Sequence, residues 1–104
     1  PKTIWKLVRN MNYTIKLTKR AEKFIDEAGA KVKKQIDDSF IDMLKFYDGT
    51  LDHVPDIRLV YGKYEGKILR LRTGKFRILF KIEKNKFVII VIDIDSRKDV
   101  YKKR

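Results

Sequence analysis

The segment Phe87–Ile94, FVIIVIDI, constrains the fold more than any other stretch of this chain. Asp93 alone interrupts its apolar run. A half-exposed strand needs apolar residues only at alternate positions. A short, β-branched, near-continuous run is instead expected in a central strand covered on both faces for much of its length. The residues before it supply sheet partners. Ile68–Arg72 alternates Leu69 and Leu71 with Arg70 and Arg72. Thr73-Gly74 predicts a tight turn. In Phe76–Ile82, Phe76, Ile78, Phe80 and Ile82 share one face, and Arg77, Leu79 and Lys81 share the other. Glu83–Lys86 reads as a hairpin loop centred on Asn85. The three strands form a meander.

The N-terminal half carries the complementary layer. Tyr13–Leu17, YTIKL, alternates as a short strand. Thr18 is a helix N-cap candidate, because its hydroxyl can accept from a free N–H of the first turn. Ala21, Phe24, Ile25 and Ala28 follow at helical spacing, and Gly29 is the expected stop. A second helix is expected from about Ala30 to Tyr47, with Val32, Ile36, Phe40, Met43, Leu44 and Tyr47 on its apolar side. Two helices joined this closely predict a hairpin. The stretch after Asp48-Gly49 is loop-like and contains Pro55. Ile57, Leu59 and Val60 either anchor it or form a brief edge strand, and Gly62 and Gly66 bracket a turn. The pattern predicts one α+β domain spanning residues 1–104. Its helical hairpin packs on one face of a small, mostly antiparallel, twisted sheet. Residues 1–12 read as an N-terminal extension. Ile4, Trp5, Leu7 and Val8 there suit an extra strand, a docking segment or a mobile arm.

Charge narrows the function. The 104 residues carry a net charge of +12, unevenly distributed. Residues 1–52 hold 11 basic and 8 acidic side chains, a net of +3; residues 53–104 hold 15 and 6, a net of +9. Such a field attracts polyanions and gives salt-sensitive association. With no cysteine, disulfides and thiolate metal sites are excluded. No apolar run is long enough to span a membrane, and no signal-peptide hydrophobic region is present, so a cytoplasmic location is expected. There is no P-loop, dinucleotide fingerprint, metal-ligand cluster or paired-carboxylate motif. No cofactor and no metal are expected.

The basic residues form a pattern. Arg70 and Arg72 share a strand face, and Arg77 approaches them across the turn. Like charges held together call for an anion, and guanidinium offers planar, bidentate donors to phosphate. The alternative is neutralisation by Glu65, Glu83, Asp93 or Asp95. Lys67, Lys75, Lys81 and Lys98 extend the cationic surface. Tyr61 and Tyr64 are candidates for stacking on bases. Asp93 and Asp95 share a strand face; such a pair more often ends a strand and meets nearby cations than binds a metal. His53, the single histidine, lies in a Pro-containing loop where a surface or packing role is expected.

LRLRTGKFRILFKI, the hydrophobic strand, and then IDSRKDVYKK resemble the RelE/ParE superfamily of bacterial and archaeal toxins. The resemblance spans roughly Tyr13 to Lys103 and includes the order strand, helix, helix, meander. It implies the toxin of a type II toxin–antitoxin pair, closest to the RelE-like mRNA interferases that cut mRNA in the ribosomal A site. On that resemblance Arg77 matches the arginine that stabilises the transferring phosphate. Arg97 matches a second catalytic arginine, and Tyr101 a C-terminal tyrosine that orients substrate. Arg70 falls where some relatives carry a catalytic lysine, which leaves Lys67, Lys75, His53 and Tyr101 as alternatives for the proton acceptor.

The chemistry suits this inventory. An RNA 2′-OH attacks the adjacent phosphate and the 5′-oxygen leaves, so the substrate brings its own nucleophile. The implied partners are an acidic or amphipathic antitoxin, the ribosome and mRNA. Two alternatives come with the same resemblance: a ParE-like inhibitor of DNA gyrase, or an inactive member that binds only its antitoxin or nucleic acid.

Overall fold

The computed structural model describes the backbone of residues 2–5, and residues 12–60 and 67–96 in full. Six strands form one sheet in the order β1-β2-β6-β5-β4-β3. β1 is Lys2–Trp5, β2 Thr14–Leu17, β3 Ile57–Val60, β4 Ile68–Thr73, β5 Phe76–Glu83 and β6 Val88–Ser96. All neighbours are antiparallel except β2 and β6, which run parallel. Helices α1 (Lys19–Glu27) and α2 (Ala30–Asp48) form a hairpin against one face of this twisted, mostly antiparallel sheet. Parallel pairing needs a crossover, and the helix pair between β2 and the meander provides it.

Thr18 fixes the β2–α1 junction. Its Oγ1 accepts from the Ala21 N–H at 3.3 Å and donates to the Ile92 carbonyl at 2.6 Å. Its own N–H donates to the Val91 carbonyl at 3.1 Å. One residue thus caps the helix and ties its start to the central strand. The core lies between the sheet and the helices. Ile15, Leu17, Ile78, Phe80, Ile89 and Val91 meet Ile36, Phe40, Met43 and Leu44, all fully buried or nearly so.

Two local expectations are corrected. Gly29 does not stop α1 by a left-handed turn. The helix ends at Glu27 with Ala28 extended, and Gly29 (φ −70°) is the N-cap of α2, its carbonyl accepting from Lys33 N–H at 2.9 Å. The left-handed terminator is Gly49 (φ 83°), at the end of α2. The central strand starts at Val88, because Phe87 takes a left-handed conformation (φ 54°) to close the 3-10 turn Lys84–Lys86. In the β4–β5 turn the special position is Gly74 (φ 57°). A Cβ there would lie 2.5 Å from Gln35 Nε2, which donates to the Thr73 carbonyl at 3.1 Å. Ser39 Oγ adds a 2.8 Å bond to Thr73 Oγ1, so α2 is fastened to this hairpin tip.

Ile57–Val60 is the edge strand of the meander side, and Lys2–Trp5 adds an edge strand beside β2. Leu7 and Val8 lie outside the described residues. No helix among the described residues is long and apolar enough to cross a membrane.

Candidate functional site

Register decides which cations meet. Arg70 pairs across the ladder with Arg58 of β3 on one side and Leu79 of β5 on the other. Arg72 stands directly opposite Arg77, and Arg77 opposite Asp95. Arg58, Arg70, Arg72 and Arg77 therefore share the sheet face away from the helices. Like charges placed opposite each other are unfavourable unless an anion joins them.

The cluster is partly dry. Arg70 is only 6% exposed. Burial pulls its pKa down; Asp56 opposes this, and Arg72, Arg77 and Arg58 lower it further. Arg70 Nη1, Arg72 Nε and Arg77 Nε are buried without a hydrogen-bond acceptor among the described residues. Buried donors are almost always paired, and an unpaired one costs its desolvation energy. Three on one surface leave donors that an acceptor-rich group could meet.

Arg70 therefore does not stand exposed beside Arg72 and Arg77. Leu79 and three arginines flank it, and its guanidinium turns to Asp56 Oδ1 at 3.4 Å. Of the acidic residues weighed as partners of these arginines, Asp93 and Glu83 meet other cations, while Asp95 stands opposite Arg77. Asp93 Oδ2 takes Arg20 Nε of α1 at 3.3 Å, and its Oδ1 accepts from Ile94 N–H. Glu83 takes Lys86 at 3.5 Å. Asp56 and Arg58 are the residues that sequence reasoning missed. The alternation in Ile57-Arg58-Leu59 was a usable signal, but only once the pairing of Arg58 with Arg70 is known.

The lysines divide. Lys81 is exposed on the arginine face, four residues from Arg77, which is about 13 Å along a strand. Lys75 is exposed in the turn, two residues from Arg77. Lys67 is not brought to the cluster. It lines a separate groove of about 530 Å³ with Tyr47, Leu69, Ile82 and Lys84, because odd positions of β4 face the helices. His53 is exposed, its Nδ1 2.9 Å from Asp52 Oδ1, and this bond holds the Asp52 carboxyl below its usual range. It shares a cleft of about 280 Å³ with Asp42, Asp56 and Arg72. No group of three or more His, Cys, Asp or Glu among the described residues is placed to hold a metal. Arg97, Lys98, Tyr101, Tyr61, Tyr64 and Glu65 lie outside the described residues.

No family model matches the chain, and no curated protein matches it by sequence. Solved structures do match. The archaeal RelE–RelB complex from Pyrococcus horikoshii aligns with a TM-score of 0.63 at 21% identity, covering 84% of this chain and 97% of that one. The fold is that of the RelE toxins. The RelB–RelE antitoxin–toxin complex from Methanococcus jannaschii gives a TM-score of 0.58 at 21% identity, covering 84% and 95%. The isolated E. coli RelE toxin gives 0.52 at 20% identity, covering 88% and 93%. The RelE fold accounts for nearly the whole length of each of these chains and leaves a minor part of this one outside the match.

Proposed function

We propose that this chain is the toxin of a type II toxin–antitoxin pair and cleaves mRNA bound to the ribosome. The observation that carries this reading is the set of buried guanidinium nitrogens of Arg70, Arg72 and Arg77 without an acceptor among the described residues, all on one sheet face. The RelE fold of the neighbouring toxin structures supports it.

A phosphodiester supplies what this face lacks. Its two non-bridging oxygens accept several hydrogen bonds at once, and its charge relieves the repulsion between Arg72 and Arg77. The same donors gain strength as charge builds on the phosphate during attack by the 2′-OH, so they favour the transition state over the ground state. Arg77 is assigned this role first. Arg97 and Tyr101 complete the catalytic set in this reading. Lys75, Lys81 and Lys98 hold flanking phosphates, with Tyr61 and Tyr64 stacking on bases.

Arginine keeps its proton at any ordinary pH, so the proton acceptor lies elsewhere. Lys75, beside Arg77 in the turn, and His53, which shares a cleft with Arg72, are better placed than Lys67. A protein with weak bases depends on its surroundings to hold RNA in the reactive geometry, and the ribosome provides that.

The partner expected in the resting complex is an acidic or amphipathic antitoxin. The toxin acts where ribosomes are, in the cytoplasm.

The test measures cleavage of one mRNA by purified protein with and without ribosomes. Cleavage should appear with ribosomes and fall on the order of 100-fold in Arg77→Ala. Equal rates with and without ribosomes would contradict the ribosome-dependent reading. Gyrase-dependent DNA breaks without mRNA cleavage would replace it with the gyrase-inhibitor reading.

A further inference from the structure

The arginine face carries a carboxylate of its own. Asp56 lies immediately before β3. Its Oδ1 is 3.4 Å from Arg70 Nη2 and 3.5 Å from Arg58 Nε, and its Oδ2 is 3.9 Å from Arg72 Nε. One carboxylate therefore serves three guanidinium groups, none of them closely. The longest of these distances is outside hydrogen-bond range. Even with Asp56 present, Arg70 Nη1 and Arg72 Nε remain buried without acceptors among the described residues.

The placement of Asp56 allows its carboxylate to move while its backbone stays fixed. Its carbonyl accepts from Arg72 N–H at 3.0 Å, and the next residue, Ile57, donates to the Pro55 carbonyl at 2.9 Å. The side chain is 42% exposed and borders the cleft shared with His53, Pro55 and Thr73. There is room for it to turn away from the arginines without disturbing the β3–β4 ladder.

We propose that Asp56 is a resident stand-in for the substrate phosphodiester. It gathers Arg58, Arg70 and Arg72 before substrate arrives and yields them when a phosphate enters. The inference rests on reading the same face as a phosphate site and adds how that site is regulated. The chemistry of the two anions is matched. Each offers two oxygens and a single negative charge to the planar guanidinium fork. Without Asp56, a nearly buried Arg70 would lose this ion pair beside its like-charged neighbours, which destabilises the fold. With Asp56 in place, incoming RNA must break its ion pairs, which lowers affinity.

The two effects oppose each other, and this separates the proposal from a purely structural role. Asp56→Asn should melt lower than wild type in the absence of added anions. It should then gain more stability than wild type when inorganic phosphate is added, because ligand that binds only the folded state raises stability with affinity. It should also bind a 2′-deoxy oligonucleotide, which lacks the nucleophile, about fivefold tighter at low salt. Asp38→Asn is the control. It removes the same charge from the exposed side of α2, where Asp38 pairs with Lys34, and should change affinity by less than about twofold.

Equal affinity of Asp56→Asn and Asp38→Asn for the oligonucleotide would overturn the proposal, as would equal stabilisation of Asp56→Asn and wild type by phosphate. If wild type itself neither binds the oligonucleotide nor gains stability from phosphate, the phosphate-site reading fails, and this inference fails with it. If Asp56→Asn does not fold, NMR of the wild-type protein decides. Phosphate should shift the Asp56 carboxyl carbon and the Arg72 Nε–H resonance together. A shift at Arg72 with Asp56 unmoved would overturn the proposal.

Discussion

Strands β4 and β5 show two faces made from alternate residues of the same short segments. On one, Leu69, Leu71, Ile78 and Phe80 meet the helices and close a core. On the other, Arg70, Arg72 and Arg77 lie beside Leu79, and Arg70 is almost as buried as Leu71. The apolar face has its complement within the chain. The arginine face is met only in part, by Asp56 and by Asp95 opposite Arg77, and three of its buried nitrogens have no acceptor among the described residues. A surface whose complement is internal serves stability. A surface whose buried donors are not all met keeps capacity for a further anion.

Breaking the first face should have the largest effect. Phe80 is fully buried between α2 and the sheet, with its ring centroid 6.1 Å from that of Tyr47. Phe80→Ala should cost about 3–5 kcal/mol in urea unfolding, with loss of activity following from unfolding. Arg77→Ala should do the reverse. Its unfolding free energy should stay within about 1 kcal/mol of wild type, because the residue lacks partners for one of its nitrogens. A large loss of stability there would show that Arg77 supports the fold and is not reserved for a ligand.

A smaller effect sharpens the boundary of the core. Burial, and then the neighbouring Tyr13, push the Tyr47 phenol up from 10.0 to about 12. The folded chain therefore keeps this proton through a pH range in which the unfolded chain has lost it. The associated stability is fully present below pH 10 and is lost as the pH rises toward 12. Thermal melts across that range should decline less steeply in Tyr47→Phe than in wild type, and phenolate absorbance should report one late-titrating tyrosine fewer.

Much of this division was legible from periodicity. The split of Phe76, Ile78, Phe80 and Ile82 from Arg77, Leu79 and Lys81 follows from the two-residue repeat of a strand. Thr18 announced its helix through its side-chain chemistry. What stayed hidden was non-local. Asp56 is separated from Arg70 and Arg72 by a whole strand and the residues that follow it, so its placement depends on the β3–β4 register, which local spacing does not encode. The parallel pairing of β2 with β6 joins residues more than 70 positions apart and was hidden for the same reason. Gly29 and Phe87 misled because glycine suits either end of a helix, and because a bulky residue rarely takes a left-handed conformation.

The central claim is that the arginine face, and not the general excess of lysine, holds nucleic acid phosphate. The direct measurement is the salt dependence of oligonucleotide affinity for wild type, Arg77→Ala and Lys31→Ala, the last on the exposed surface of α2. For a single strand, removing the cation that neutralises one phosphate should reduce the slope of log K against log salt by about 0.7. The account predicts that reduction for Arg77→Ala and an unchanged slope for Lys31→Ala. Equal slopes for the two variants would contradict it.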